Sequence, residues 1–166
     1  MNTEVSTEAS RSDFWNTKRL VRMALFVALG TVGGLIPLPS PTGTVGLDSA
    51  PGYFLALFAG GVEGGIVLGI GHLVSGIKAG FPLGPIHLPI AIGMAVCGWL
   101  FWYVNQRFNL TTAGLVATLF NGVILNLLLI PLLGVGFFMG MTPVLLIASA
   151  VNIVIAIAVY RFLDNR

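Results

Sequence analysis

Apolar residues run through this chain in blocks of helix-spanning length, broken at intervals by glycine, proline and a few polar positions. A helix needs about 20 apolar residues to cross a bilayer, and stretches of about 17–25 serve. Six spans are predicted on that basis: Arg19–Leu38, Pro51–Val62, Gly64–Ala79, Ile86–Gln106, Thr112–Leu133 and Pro143–Phe162. The second is short. Turn signals divide them: Pro39-Ser-Pro-Thr-Gly43, Gly60–Gly65, Phe81–Pro85, Asn105–Thr112 and Gly134–Thr142. The expected fold is therefore an all-α integral membrane bundle of six transmembrane helices.

Composition agrees with the pattern. The 166 residues are 56% hydrophobic and 8% charged, against roughly 25% charged in soluble domains. The length allows one bundle, residues 18–166, preceded by a polar stretch (1–17) read as a flexible cytoplasmic tail. That stretch is not read as a signal peptide, because the apolar run after it is long and ends without a small-residue cleavage site. A net charge of +2 is no nucleic-acid signature, so no nucleic-acid partner is expected. The single cysteine, Cys97, excludes an intrachain disulfide and a cysteine-cluster metal site; it reads as a small buried hydrophobe.

Charge placement sets the orientation. With six spans, Arg11, Lys18, Arg19, Arg22, Arg107, Arg161 and Arg166 all fall on one side, and only Lys78 on the other. Basic residues mark the cytoplasmic face, so both termini are expected in the cytoplasm, and five or seven spans would scatter the charges.

Against this apolar background the segment Gly69–Ala91 stands out, because it carries His72, Ser75, Lys78 and His87. Ionisable groups inside a membrane usually face a cavity, a partner or a substrate path. Two GxxxG-spaced pairs, Gly65/Gly69 and Gly76/Gly80, are expected to let a second helix come close. The predicted topology puts His72 near mid-depth, Ser75 and Asn126 in the outer half, Lys78 and His87 near the outer surface, and Asn121 and Asn152 centrally. Leu38–Ser49 is the longest outer loop, and Asp48 either caps the following helix or faces a ligand. Asp48, His72, Ser75, His87 and Asn126, with Asn121 and Asn152, are expected to meet in an outer-half cavity. Tyr53, Phe54, Phe81, Phe137 and Phe138 offer faces for a flat ring or for lipid. The asparagines equally suit interhelical hydrogen bonding, and both readings stay open.

The sequence contains no Walker A motif, HExxH or GxSxG, nor paired buried carboxylates; Glu63 is assigned to a cytoplasmic turn. No catalytic residue, metal or cofactor is expected, and binding of a neutral hydrogen-bonding molecule suits the polar set better than hydrolysis or proton relay. In the first span Ala24 and Ala28 stack one helical turn apart. This small-residue face suits either packing inside the bundle or another subunit.

These residues resemble the substrate-binding S components of energy-coupling factor (ECF) vitamin transporters, over about Lys18 to Phe162. The resemblance rests on size, topology, the long outer loop and Ala24-Leu-Phe-Val-Ala28, which is similar to the AxxxA docking signature of that family. Leu47-Asp-Ser-Ala-Pro-Gly52, Gly71-His-Leu-Val-Ser75, Gly80-Phe-Pro-Leu83 and His87-Leu look like the S components assigned to α-ribazole, a cobalamin precursor. The resemblance implies a multi-pass protein of the cell membrane that binds a vitamin or precursor, with Asp48, Tyr53, His72, Ser75, Phe81, His87 and Asn126 as candidate contacts. It implies docking through Ala24 and Ala28 on a transmembrane coupling subunit served by two ATPase subunits. The competing readings are an S component for another vitamin, an autonomous carrier or channel, a histidine-dependent membrane enzyme and a purely structural subunit.

Overall fold

The computed structural model describes residues 15–41 and 43–165. The polar tail expected over 1–17 lies outside the described residues up to position 14, and its last residue already belongs to a helix. Helix α1 spans Thr17–Gly33. Asn16 ends the tail by accepting a hydrogen bond from the Arg19 amide at 3.0 Å, which satisfies one of the unpaired donors of the first turn. After α1 come strands β1 (Pro37–Ser40) and β2 (Gly43–Gly46), paired antiparallel with Pro37 opposite Gly46. Then follow α2 (Ala50–Ala59), α3 (Gly61–Lys78), α4 (His87–Arg107), α5 (Leu110–Leu127) and α6 (Ile130–Asp164).

Four expected boundaries or loops are corrected. The outer loop is not irregular throughout: the β1–β2 hairpin occupies much of it, so the protein is not strictly all-α. The Gly60–Gly65 turn shrinks to Gly60 alone, whose φ of +117° reverses the chain at no steric penalty. The expected fifth span stops at Leu127 and contains a π turn at Phe120–Ile124. The expected loop Gly134–Thr142 is helical; the break falls at Gly134 itself (φ +81°, ψ 167°), and Pro143 lies inside α6. Glycine and proline are common inside membrane helices, so composition misplaces boundaries here.

Glycines set how closely the helices approach. A Cβ at Gly65 would stand 2.6 Å from the Ala95 carbonyl oxygen, and one at Gly69 2.9 Å from that of Ala91. The first GxxxG pair thus brings α3 against α4 as expected. The second pair does something else. Gly80 has φ +78° and closes α3 in a Schellman turn, with the Phe81 amide bonded to the Gly76 carbonyl and the Gly80 amide to that of Ile77.

Helix α2 sits at the centre, packed on α1, α3, α4 and α6. Its ten residues rise about 15 Å, half of a hydrocarbon core of about 30 Å. Gly52, Tyr53, Phe54, Leu55 and Ala56 are all buried. At its carboxyl end the first turn of α3 holds Glu63, which is 2% exposed and stands in a helix, not in the inter-span turn expected for it. Arg19 Nε donates to Glu63 Oε1 at 2.6 Å, and Arg22 donates Nε to Oε2 at 2.9 Å and Nη2 to Oε1 at 2.7 Å.

Outside this core the helices present apolar side chains. Leu25, Leu29 and Val32 of α1, Ile92 and Val96 of α4, and Leu132, Ile147 and Val154 of α6 are exposed. The segments Gly84–Arg107, Leu110–Leu127 and Ile130–Asp164 are long and apolar enough to cross a bilayer.

Candidate functional site

Because α2 is half-length, the bundle is left unfilled beyond its amino end. A cavity of about 160 Å³ occupies that space. The hairpin covers one side, since Val45 and Gly46 are part of its wall. Ile90, Met94, Leu125, Leu129, Phe137, Met141 and Leu145 form an apolar wall, and Asp48, Ser49, His72, Ser75, Lys78, His87, Asn121, Asn126, Ser149 and Asn152 supply the polar groups.

The segment carrying Asp48 is held from two sides. Glycines on α1 let it lie against the helix backbone: a Cβ at Gly30 would come within 2.7 Å of the Asp48 carbonyl oxygen, and one at Gly33 within 2.2 Å of that of Leu47. From α6, Asn152 Oδ1 accepts from the amides of Ser49 at 3.1 Å and Ala50 at 2.8 Å. The cap of α2 is therefore a distant side chain. Asp48, the expected cap, instead accepts a hydrogen bond from Ser49 Oγ at 2.9 Å. Burial holds the Asp48 carboxyl above its ordinary range; hydrogen bonds from Ser75 and Ser49 and the charge of Lys78 counter only part of that. Lys78 itself donates to the Gly34 carbonyl at 2.6 Å and ties the end of α3 to the end of α1.

His72 of α3 and His87 at the start of α4 share a hydrogen bond between Nε2 and Nδ1 at 3.1 Å. Asn121 donates to Ser149 Oγ at 2.7 Å. Asn126 donates Nδ2 to Thr142 Oγ1 at 2.7 Å and to the Phe138 carbonyl at 3.2 Å. Two buried polar atoms have no protein partner among the described residues: His87 Nε2 and Asn126 Oδ1.

Of the residues singled out in the sequence, Asp48, His72, Ser75, His87 and Asn126 all line this cavity. Tyr53 and Phe81 do not. Tyr53 is fully buried one turn below, edge-on to Phe101 with ring centres 5.3 Å apart, and its hydroxyl is hydrogen-bonded to Cys97 Sγ at 3.2 Å. It is a core residue, because α2 turns only its amino-terminal end towards the cavity. Phe81 packs its ring edge-to-face on His87 at 5.1 Å, part-exposed behind the histidine. Lys78, Ser149 and Ser49 also reach the site. Ser149 gave no signal, being one small polar residue in an apolar run; its spacing of three from Asn152 was the available clue.

Ala24 and Ala28 are both exposed. They face away from the bundle together with Leu20, Val21, Leu25 and Leu29, which removes packing against the described residues as their role.

No protein-family model matches the chain, and no curated protein matches its sequence. Among solved structures it is similar to the S component of a bacterial ECF transporter, with a TM-score of 0.70 and 25% identity over 89% of this chain and 96% of the other.

Proposed function

We propose that this chain is the substrate-binding membrane subunit of an ECF-type uptake transporter, an S component. The observation that carries the reading is a polar-ended cavity beyond the half-length helix α2 in a fold similar to that of a bacterial S component. An apolar enclosure with a few convergent polar groups is the usual form of a small-molecule site. In this reading the chain crosses the cytoplasmic membrane six times with both termini inside, and the cavity opens towards the outer face. The positions of Lys18, Arg19, Arg22, Arg107 and Arg161 near one set of helix ends support that orientation.

The ligand we propose is α-ribazole. The apolar wall suits its dimethylbenzimidazole ring, and Asp48, His72, Ser75, His87 and Asn126 suit its ribose hydroxyls. The chain has no nucleotide-hydrolysing motif of its own, so energy would come from docking on a transmembrane coupling subunit with two ATPase subunits. The outward Ala24/Ala28 face is the proposed contact.

Two measurements test this. Thermal-shift screening of the purified protein should show stabilisation by α-ribazole and little by riboflavin, thiamin, biotin or folate. A clear response to another of these alone would reject α-ribazole while keeping the S-component reading. Replacing both Ala24 and Ala28 by Trp should abolish uptake and co-purification of the ATPases and leave substrate affinity within about twofold, since that face lies outside the cavity. Uptake that survives the double substitution rejects the docking face.

A further inference from the structure

Asn121 and Asn126 lie five positions apart on α5, yet both line the cavity. In a regular α-helix of 3.6 residues per turn they would point about 140° apart. The π turn at Phe120–Ile124 resolves this. The Leu125 amide bonds to the Phe120 carbonyl, five residues back, so the helix is locally underwound and positions five apart approach one side. Such turns cost helix stability and occur preferentially at functional sites.

The asparagine beyond the turn is fixed by its partners. The Phe138 carbonyl can only accept, so the Asn126 atom facing it is the amide nitrogen. Thr142 Oγ1 holds the same nitrogen at 2.7 Å. This assigns the remaining atom as Oδ1, a pure acceptor, on a residue 1% exposed and with no protein partner among the described residues. A buried carbonyl left without a donor is unfavourable, and a ligand that supplies one removes the penalty.

We infer that Asn126 Oδ1, the unpartnered acceptor of a cavity-lining residue beside the π turn, is a donor-reading subsite reached by a small turn of that side chain: it selects ligands presenting a hydroxyl or N–H at that point and rejects those presenting an acceptor or a methyl group. The inference rests on the cavity being the substrate site. It gives the substrate class as a neutral ring compound with a hydrogen-bond donor at the end that meets α5 and an apolar body towards Ile90, Met94 and Leu129. His87 Nε2, the other unpartnered atom, is less discriminating, because an imidazole nitrogen donates or accepts according to tautomer.

The test is calorimetry on the full chain in nanodiscs. The probe is whichever of α-ribazole, riboflavin, thiamin, biotin and folate binds most tightly, followed by analogues of that probe with its donor groups replaced one at a time by hydrogen or methyl; for α-ribazole these are the three monodeoxy nucleosides. One analogue is expected to bind wild type about ten- to a hundredfold more weakly than the probe. In Asn126→Leu that analogue and the probe should bind equally. If every analogue binds wild type like the probe, the subsite is rejected and the binding function stands. That comparison needs no variant, so it decides even if Asn126→Leu fails to fold. A difference that persists in Asn126→Leu also rejects it. No binding by any probe rejects the substrate-site reading and the subsite with it.

Discussion

The two ends of this bundle bury polar groups in opposite ways. At one end the Glu63 carboxylate is enclosed and met by two guanidinium groups, with hydrogen bonds to both of its oxygens. At the other, Asp48, His87 and Asn126 are withdrawn from bulk water but incompletely answered, and two of their polar atoms find no protein partner among the described residues. A satisfied buried charge fixes how helices meet, whereas unsatisfied groups gathered round a cavity mark where something else is meant to bind. The first end holds the fold together, and the second is the one we propose as the ligand site.

The largest effect should come from breaking the satisfied end. Replacing Arg19 and Arg22 together by Ala leaves Glu63 buried without a counter-charge. Thermal unfolding in detergent should show a loss of about 3–5 kcal/mol. Glu63→Ala should lose clearly less, because the arginines, about a third exposed, can turn to water. Equal losses would mean that the ion cluster does not organise that end.

Next comes the seam that positions Asp48. Gly33→Ala would drive a methyl group to 2.2 Å from the Leu47 carbonyl oxygen, a backbone atom that a side-chain rotation does not move. The expected outcome is a loss of about 1–3 kcal/mol together with weakened ligand binding. Unchanged binding would show that the seam and the cavity are independent.

The ligand end should tolerate changes that the other does not. His87→Phe removes an unpartnered nitrogen along with the bond to His72, so stability should change by no more than about 1 kcal/mol while substrate affinity falls. A loss as large as that of the arginine variant would erase the contrast between the two ends.

The smallest effect is in the pH profile. The folded protein holds the Asp48 carboxyl above its ordinary value of 3.8, chiefly through burial. Folded protein therefore retains this proton where unfolded protein has lost it. The group's contribution is fully present below the ordinary value and declines as pH rises from there through the raised folded value. Asp48→Asn should flatten that decline in unfolding experiments across the acidic range. A slope unchanged by the substitution would assign it to another group.

Much of the fold was legible in one dimension. The apolar runs lie where the helices are. Asp48, His72, Ser75, His87 and Asn126, expected to meet, all line one cavity. What failed was local detail whose cause is distant. Tyr53 looks like a ligand contact until α4 surrounds it. Glu63 looks like a turn residue until two arginines from α1, more than forty positions away, close over it.

The sequence by itself determined the class of the protein, the helical runs and the polar residues at the cavity, because hydrophobic length and charge are written along the chain. Only the tertiary structure decided which of those polar groups are satisfied. Hydrogen-bond partners such as Asn152 for the start of α2, or Thr142 for Asn126, come from other helices, and the direction of Asn126 depends on a π turn that no periodicity in α5 announces. Pairing is a property of neighbours in space, and here it separates an end whose buried charge is fully met from an end whose polar atoms are not.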